Sequence, residues 1–409
     1  MEMKKYKLGE IAEILNGSTP STLDSENYDG EIVWATPKDL SDQKAKYFYK
    51  GARNITEKGF NSCSTQMIPA GNILMSSRAP IGLFAINKVD CCTNQGFKNI
   101  IFDKSVADVE FMYYFLKFHV REIEALGSGT TFKEVSKSSL EKYEFSLPPL
   151  PTQQKIAAVL SSLDKKIALN SRINARLEQM AKRLYEHYFV QFDFPTADGK
   201  PYKTSGGKMV YSSELKREIP EGWEVKRLGD ILENNIEVTD AGEHLKGLKY
   251  CPIDEIPMKT MSFANGKPYT EANSSLQLYK RKDILIGAMR VYFHRCCIAS
   301  EPGITRTTTI VLSPKNKNFL SYVYQVCNED KTFDYAIKVS NGTQQPYVTW
   351  KSLKEYQFVY PKDEKIIEDF CKNTNSIIDR ILENVQESAR LTSLRDRLLP
   401  LLMNGQVSV

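Results

Sequence analysis

Basic, amide and aromatic side chains recur in segments whose composition is typical of loops, and their types suit contacts with nucleic acid. Arginine can donate two hydrogen bonds to guanine, asparagine or glutamine can pair with adenine, and serine, threonine and lysine mainly hold phosphates. The DNA-binding candidates in the first half of the chain are Ser18, Thr19, Thr36, Lys38, Arg78, Asn94, Gln95, Thr130, Thr131 and Lys133. Those in the second half are Lys249, Tyr250, Arg290, Tyr292, Arg306, Thr343, Gln344, Gln345 and Tyr347. For each residue alone a solvated loop is the simpler interpretation, but the set, in equivalent places of two units, favours two related binding surfaces.

Residue patterns for catalysis are missing from the sequence. Methyl transfer to a base amino group needs an Asn/Asp-Pro-Pro-aromatic loop, whereas Pro148-Pro149 stands between two leucines. The glycine-rich Lys-Ser/Thr loop for ATP is also missing, and Glu224 and Lys226 have a nuclease-like spacing without the preceding Pro-Asp. The histidines are isolated from one another, at His119, His187, His244 and His294. We therefore expect a non-catalytic chain without metal or cofactor.

Length and composition fit an ordinary protein of two or three domains. The chain has 409 residues, and 55 Lys and Arg against 50 Asp and Glu give a formal net charge of +5, which is compatible with nucleic-acid binding but does not decide it. The adjacent pairs Cys91-Cys92 and Cys296-Cys297 are expected to be buried thiols on opposite faces of strands. With no secretion-signal pattern and no apolar run long enough for a bilayer, we expect a cytoplasmic protein.

The chain repeats itself. Residues 129–148 (GTTFKEVSKSSLEKYEFSLP) align without a gap onto residues 342–361 (GTQQPYVTWKSLKEYQFVYP). The identical pairs are Gly129/Gly342, Thr130/Thr343, Val135/Val348, Ser139/Ser352, Leu140/Leu353, Tyr143/Tyr356, Phe145/Phe358 and Pro148/Pro361. Upstream, LGEI at residues 8–11 returns as LGDI at 228–231, with an offset that drifts. The pattern predicts two copies of one unit with insertions in their loops.

Hydrophobic spacing predicts that each copy is a mixed α/β unit. Helices are predicted over residues 8–15 and 108–126 in the first copy and over 318–326 in the second. Strands are predicted at 31–35, 71–75, 81–86, 97–102, 284–286, 297–299 and 308–312.

A long helical pattern follows each copy, with apolar steps of four and three residues that are typical of a coiled coil. The first stripe comprises Ile156, Leu160, Leu163, Ile167, Asn170, Asn174, Leu177, Ala181, Leu184 and Tyr188, and Thr152 is expected to cap its helix. The second begins near Asp363, ends at Pro400 and Gly405, and comprises Ile367, Phe370, Thr374, Ile377, Ile381, Asn384, Ser388, Leu391, Arg395, Leu398 and Leu402. Asn170, Asn174 and Asn384 are expected to fix the register of the helix pair, because each buried amide needs a partner.

The connections favour an antiparallel helix pair. The first helix leaves one unit and reaches the other, and the second leaves that other unit, so the two would be related by a pseudo-two-fold axis. A helix of almost forty residues is about 57 Å long. Two binding surfaces at such a separation would span more than one turn of duplex DNA, at about 34 Å per turn. A helix pair used only for dimerisation stays open as the alternative.

Motifs along both helices resemble a known family. Pro148-Pro149-Leu150 with Gln154-Lys155-Ile156, Leu177-Glu178-x-Met180-Ala181 and Tyr188-Phe189 are similar to the central conserved region of specificity subunits of type I restriction-modification enzymes. Leu394-Arg395-Asp396-x-Leu398-Leu399-Pro400 resembles the C-terminal conserved region of that family. One departure is that the second unit ends in Tyr360-Pro361-Lys362 and lacks the Pro-Pro of the first.

The resemblance implies a subunit that binds a bipartite double-stranded DNA target sequence-specifically and directs two methyltransferase (modification) subunits and motor-nuclease (restriction) subunits to it. It implies target-recognition domains at 1–148 and 223–361, conserved coiled-coil helices at 149–193 and 362–409, and a linker at 194–222. Two alternatives remain at this point. One is a coiled-coil adaptor without DNA specificity, and the other is a nuclease or methyltransferase with an unrecognised site.

Overall fold

The computed structural model describes residues 3–43, 45–78, 80–129, 133–264, 266–342 and 344–407. It divides into two compact units, of which unit 1 comprises Met1–Lys165 with Ser393–Val409 and unit 2 comprises Lys166–Thr392. Each unit contains one mixed α/β domain together with parts of two long helices. The mixed α/β fold class predicted from the sequence is confirmed.

Unit 1 alternates short strands with short helices. Its strands are β1 (Lys4–Lys7), β2 (Ala12–Asn16), β3 (Tyr28–Ala35), β4 (Tyr47–Phe48), β5 (Asn54–Ile55), β6 (Ile73–Ser77), β7 (Ile81–Asn87), β8 (Cys92–Thr93), β9 (Phe97–Phe102) and β10 (Glu144–Leu147). Its helices are α1 (Leu8–Ile11), α2 (Pro37–Gln43), α3 (Glu57–Asn61), α4 (Val109–Phe118), α5 (Val120–Ala125), α6 (Lys137–Glu141) and the start of α7 (Leu150–Tyr185).

A five-stranded sheet of order β2-β9-β6-β7-β4 forms the centre of unit 1, and only β4 pairs in the parallel sense. Helix α4 packs on this sheet and buries Phe111, Met112 and Leu116 against Ile73 and Ile100 of the strands. A second sheet of order β5-β3-β8 lies beside it in the chain's first unit.

Unit 2 is built from a similar but longer series. Its strands are β11 (Met209–Ser212), β12 (Arg217–Pro220), β13 (Trp223–Arg227), β14 (Leu232–Asn234), β15 (Val238–Thr239), β16 (Lys249–Tyr250), β17 (Ser262–Phe263), β18 (Lys267–Pro268), β19 (Leu276–Tyr279), β20 (Ile284–Gly287), β21 (Cys296–Ala299), β22 (Gly303–Arg306), β23 (Thr309–Pro314) and β24 (Gln357–Pro361). Its helices are α8 (Leu228–Ile231), α9 (Leu320–Asn328), α10 (Asp330–Lys338), α11 (Trp350–Leu353) and most of α12 (Lys365–Met403).

The central sheet of unit 2, β14-β23-β20-β21-β17, has the same strand order and directions as that of unit 1. A second five-stranded sheet, β15-β19-β22-β16-β18, replaces the smaller sheet of unit 1. Segment 194–222 contains the hairpin of β11 and β12, and it packs Phe194 and Ile219 around Trp223. The domain boundaries predicted from the sequence stay a prediction.

The internal duplication extends to individual hydrogen bonds. Strand β1 pairs with β10, and β13 pairs with β24. The N–H of Leu8 donates to the carbonyl of Tyr143, and that of Leu228 donates to the carbonyl of Tyr356, both at 3.0 Å. The side chains of Ser136 and Thr349 cap α6 and α11 from equivalent positions of the repeat. The two copies therefore share one framework.

Three local predictions were wrong. The helix predicted at residues 8–15 lasts one turn, after which Ala12–Asn16 alternates outward and inward as strand β2. The helix predicted over 108–126 breaks at His119, whose ψ of 18° leaves the helical region. Thr152 lies inside α7 and does not cap it. The second long helix ends between its two predicted stop residues, since α12 passes Pro400 and ends at Met403, before Gly405.

The long helices contain 36 residues (α7) and 39 residues (α12), and every predicted stripe position is buried or half-buried. Within unit 2 they run antiparallel, because Asn170 Nδ2 contacts Glu387 Oε2 at 2.7 Å whereas Asn174 Oδ1 accepts from Asn384 at 2.8 Å. The π-helical turn Glu186–Val190 ends the first helix. In the part of the chain that the structure describes, neither these helices nor any shorter one is long and apolar enough to cross a bilayer. The predicted two-fold axis stays a prediction.

In each adjacent pair the two cysteines are buried in different core clusters, as expected for side chains that point to opposite faces. Cys296 belongs to the main core of unit 2, whereas Cys297 packs into a separate cluster with Cys251 and Tyr279. In unit 1 burial raises the pKa of both Cys91 and Cys92 to about 12. These thiols therefore stay neutral and serve as small core side chains.

Candidate nucleic-acid interface

One edge of the central sheet in unit 1 gathers the ends of several strands and loops. Residues 16–19, 36–38, 77–78, 94–98 and 133–135 meet there, and we call this surface the unit 1 edge. The N–H of Ser77 donates to the carbonyl of Gly96 at 2.8 Å, and the N–H of Val135 donates to the carbonyl of Ser77 at 3.0 Å. Backbone bonds of this kind hold the loops against the rigid sheet.

Close approach of the backbones tightens the same edge. The N–H of Ser18 donates to the carbonyl of Thr93 at 2.9 Å, and a Cβ at Gly17 would lie 2.0 Å from the carbonyl oxygen of Asn94. Only glycine fits there. A Cβ at Gly96 would likewise lie 2.9 Å from Pro37 Cγ, so the 36–38 segment packs on the 94–98 turn.

The structure brings all the described unit 1 candidates together at this edge. Lys38, Gln95 and Lys133 are exposed, and Ser18, Thr19, Thr36, Arg78 and Asn94 are half-buried. Thr19 Oγ1 donates to Gln95 Oε1. Thr36 donates from both its N–H and its Oγ1 to Asp39, so its hydroxyl is used within the chain. Thr130 and Thr131 lie outside the described residues.

Equivalent backbone hydrogen bonds form the corresponding edge of unit 2. The N–H of Ala288 donates to the carbonyl of Thr308, and the N–H of Val348 donates to the carbonyl of Ala288, both at 2.9 Å. Residues 234–236, 288–290, 307–310 and 344–348 form this unit 2 edge. Arg290, Gln344, Gln345 and Tyr347 are exposed on it. Thr343 lies outside the described residues.

Two residues with left-handed backbone stand next to this edge. Arg290 has a φ of 50° and His294 a φ of 49°, and between them the turn Val291–Phe293 exposes Tyr292. A non-glycine residue in this region carries conformational strain, and such strain concentrates at functional sites. The N–H of Arg290 donates to the carbonyl of Pro346 at 2.8 Å, which ties the strained turn to the 344–348 loop.

Three unit 2 candidates lie instead in the second sheet. Tyr250 is buried in the cluster that contains Leu245 and Ile304, which leaves its ring inaccessible. Lys249 forms an ion pair with Glu301 at 2.7 Å. Arg306 is half-buried, and its Nε has no hydrogen-bond partner among the residues that the structure describes. The sequence predicted these as surface contacts, and burial makes Tyr250 unsuitable for one.

The two edges differ in chemistry at equivalent backbone positions. In unit 1 the buried Lys98 forms an ion pair with Glu134 at 3.0 Å. The strand register and the shared backbone bonds place Ile310 where unit 1 has Lys98, and Tyr347 where it has Glu134. Ser77 and Ala288 are equivalent in their backbone bonds, and each is followed by the next residue of the edge. Met289 therefore occupies the position that Arg78 has in unit 1.

An apolar pocket of about 480 Å³ results at the unit 2 edge. It is lined by Asn234, Ile236, Gln277, Ala288, Met289, Thr307, Thr308, Thr309, Ile310, Tyr347, Val348, Thr349 and Trp350. A larger groove of about 1010 Å³ lies elsewhere in unit 2, between residues 257–264 and the two long helices. Within the described ranges, His, Cys, Asp and Glu side chains form no group of three or more that could hold a metal ion.

Sequence reasoning missed Lys98, Glu134, Met289 and Ile310. The available signal was the repeat itself, whose gapless segment already pairs Glu134 with Tyr347. Outside that segment the offset drifts, to 211 residues at Ser77/Ala288 and 212 at Lys98/Ile310, so the strand register is needed to pair Lys98 with Ile310.

Comparison with known proteins identifies the architecture. The family model of the type I restriction modification DNA specificity domain matches residues 1–179 and 220–391. The chain belongs to this family. The specificity subunit of the type I restriction enzyme MjaIX from Methanocaldococcus jannaschii is 32% identical over 425 residues, covering 100% of this chain and 94% of the relative. That of HindI from Haemophilus influenzae is 24% identical over 99% of this chain and 100% of the relative.

A solved structure supports the fold of this specificity subunit. The type I restriction-modification S subunit from M. genitalium aligns with a TM-score of 0.62 over 98% of this chain and 96% of that chain, at 16% identity. Specificity subunits are non-catalytic, so the enzyme activity of a type I complex belongs to its other subunits, and this chain provides the DNA specificity domains.

Proposed function

We propose that the two domains each read one half of a bipartite duplex target, and that the subunit thereby directs modification and restriction subunits to that DNA. The observation that carries the proposal is the sheet edge that both units build from the same backbone bonds. A rigid sheet with exposed polar loops at one edge suits recognition, because loops can vary while the scaffold positions them.

The exposed side chains suit separate tasks in DNA binding. Lys38 and Lys133 at the unit 1 edge supply positive charge for phosphates, which fix orientation and give salt-dependent affinity. Asn94 and Gln95 offer amides that match the major-groove edge of adenine, and Arg290 at the unit 2 edge offers the fork that matches guanine.

Different half-sites follow from the different chemistry of the two edges. Unit 1 places the Lys98–Glu134 ion pair where unit 2 places Ile310 and Tyr347. Two surfaces so unlike in polarity favour different base sequences, and an asymmetric bipartite target is therefore expected.

The long helices are our candidates for holding the partner subunits, namely two methyltransferase subunits and the motor-nuclease subunits. The face of α7 opposite its packed stripe exposes Leu169, Arg172 and Arg176, which combine apolar area with positive charge.

We place the assembly in the cytoplasm, where free thiols persist, because all eight cysteines are unpaired.

Exchange of one domain tests the proposal. Residues 223–361 are replaced by those of a relative with different edge residues, and the chain is produced with its own modification subunits. Mapping of methylated bases should show one half of the motif changed and the other half retained. An exchange of 1–148 serves as the matched control and should change the opposite half. A motif that changes in both halves, or in neither, contradicts separate reading by the two domains.

A further inference from the structure

We propose that the apolar pocket at the unit 2 edge receives the C5-methyl group of a thymine, so that Met289 and Tyr347 determine specificity for an A·T pair in that half-site. The inference rests on the proposed function and adds a chemical identity to one of its contacts. It concerns the pocket formed by Ile236, Met289, Ile310 and Tyr347.

One wall of the pocket is the aromatic ring of Tyr347, which stands on a fixed backbone. The N–H of Tyr347 donates to the carbonyl of Asn341 at 2.9 Å, and its carbonyl accepts from the N–H of Asn341 at 2.8 Å. On its other side Tyr347 forms an antiparallel bridge with Met289. These bonds fix the backbone that carries the ring, and an aromatic side chain with few rotatable bonds offers contact area with little conformational entropy to lose on binding.

The accessible surface that lines the pocket is mostly apolar, and one of its amides is used within the chain. Gln277 Nε2 donates to the carbonyls of Arg306 and Thr309, at 3.1 and 2.5 Å, and both amide hydrogens are thus used internally. Ile310 is buried beneath the pocket, whereas Ile236 is 66% exposed at its mouth. The surface therefore selects an apolar group.

Among the groups that base pairs present in the major groove, the thymine methyl is the apolar one. The setting also suits DNA, because Arg290 follows Met289 and Gln344 and Gln345 precede Tyr347 by two or three residues. The arginine can contact a phosphate and the glutamine amides can contact polar atoms of a base. These groups around an apolar pocket therefore match a base edge with phosphates on either side. A purely apolar protein partner would leave Arg290 without a matching charge.

Unit 1 provides a natural control. Its equivalent positions hold Arg78, Lys98 and Glu134, and the ion pair between the last two fills the place of the apolar wall. We therefore expect methyl recognition in the half-site read by unit 2 and not at the equivalent position of the unit 1 half-site.

Replacing thymine by deoxyuridine tests the inference without altering the protein. Once the target is mapped and its halves are assigned by domain exchange, each thymine is replaced singly in duplexes bound to the complex of the full chain with its modification subunits. Burial of one methyl group corresponds to an affinity change on the order of fourfold. At least one replacement in the unit 2 half-site should weaken binding by this factor.

Variants then locate the methyl group. Met289→Ala and Tyr347→Ala should bind the thymine duplex more weakly but lose the difference between thymine and deoxyuridine at that position. The inference is overturned if all deoxyuridine duplexes bind like thymine, if the half-site has no A·T pair, or if both variants retain the difference. It is also overturned if Tyr347→Ala releases the modification subunits while base discrimination is kept. Loss of all sequence preference in the wild-type complex would instead refute the proposed function.

Discussion

Asn384 donates its side-chain amide to Oδ1 of Asn174 across 2.8 Å, in the buried seam between α7 and α12 of unit 2. Both side chains are almost inaccessible to water. One turn away, Asn170 donates to Glu387 Oε2 at 2.7 Å. Polar pairs inside an otherwise apolar seam fix register, because any shift of one helix leaves an amide without its partner.

Removing one member of the asparagine pair should therefore cost more than removing both. Asn384→Leu leaves Asn174 buried without its donor, and we expect a loss of about 1–3 kcal/mol in the free energy of unfolding. The double variant Asn174→Leu/Asn384→Leu should be close to wild type or more stable. Urea unfolding followed by circular dichroism measures both. A double variant that loses as much stability as the two single variants together would contradict an interaction between these side chains.

A second prediction concerns the pair of Asp164 and Arg395 in unit 1. Arg395 Nη1 lies 2.7 Å from Asp164 Oδ1, both side chains are mostly buried, and Tyr114 donates its hydroxyl to the other carboxylate oxygen. Asp164→Asn should lower stability by about 1–3 kcal/mol, because the guanidinium loses its buried counter-charge and keeps the more exposed carboxylate of Asp396.

An exposed ion pair in the same unit is the matched control. Lys5 and Glu144 lie 2.6 Å apart with both side chains largely in solvent. Glu144→Gln should have little effect, and what effect it has should vanish in high salt. Equal losses from the two variants would show that burial adds nothing to the Asp164–Arg395 contact.

The third prediction concerns pH and Glu178 of α7, which lines the larger groove of unit 2. Burial raises the pKa of Glu178 to about 7, against a weaker opposing hydrogen bond from the backbone of Met261. The carboxyl of an unfolded glutamate has a pKa of about 4.3. Between these values the folded chain keeps a proton that the unfolded chain has lost, so stability falls as pH rises through this window.

Glu178→Gln removes the buried carboxyl, and with it the loss of stability that accompanies ionisation of this group. Relative to wild type, the variant should be more stable at pH 8 than at pH 5, by at most about 3 kcal/mol for a shift of this size. Urea midpoints at the two pH values measure the difference. Glu368→Gln replaces an exposed glutamate of α12 and should leave the pH dependence as in wild type. Identical pH profiles for wild type and Glu178→Gln would refute the burial argument.

Long-range periodicity made the helices and the duplication predictable. A stripe such as Ile156, Leu160 and Asn170 repeats over many turns, so that single errors do not obscure it. Short elements lack this redundancy. Strands β15, β16 and β18 have two residues each and depend on partners distant in sequence, and the second sheet of unit 2 was therefore not predicted.

The site was predictable by residue type but not by arrangement. Loop composition indicated Arg78, Gln95 and Lys133, and the structure places them at one edge. The contribution of Ile310 and Met289 depends on strand register and on hydrogen bonds between separate loops, which residue types do not reveal. Tyr250 is the opposite case. It was predicted as a DNA contact because it lies in a polar segment, but its ring is part of a hydrophobic core.

The last prediction separates phosphate contacts from base contacts at the two edges. Lys133 is exposed and precedes Glu134, which forms a backbone bridge with Ser128, and Lys133→Ala should weaken binding to cognate and scrambled duplexes alike. The slope of log affinity against log salt concentration should fall by about 0.9, as expected for one phosphate. Lys104→Ala is the matched control, because Lys104 is equally charged and exposed but follows the opposite end of β9.

Gln345→Ala should behave differently if its amide reads an adenine edge. We expect a loss of about 1–3 kcal/mol for the cognate duplex, with binding of scrambled duplexes and the salt slope unchanged. Titrations of all three variants at several salt concentrations distinguish the two kinds of contact, because phosphate neutralisation acts on every sequence whereas a base contact acts on one. Wild-type binding by both Lys133→Ala and Gln345→Ala would place the DNA surface away from these loops, and the shared backbone bonds at the two edges would then serve only to join each domain to its long helix.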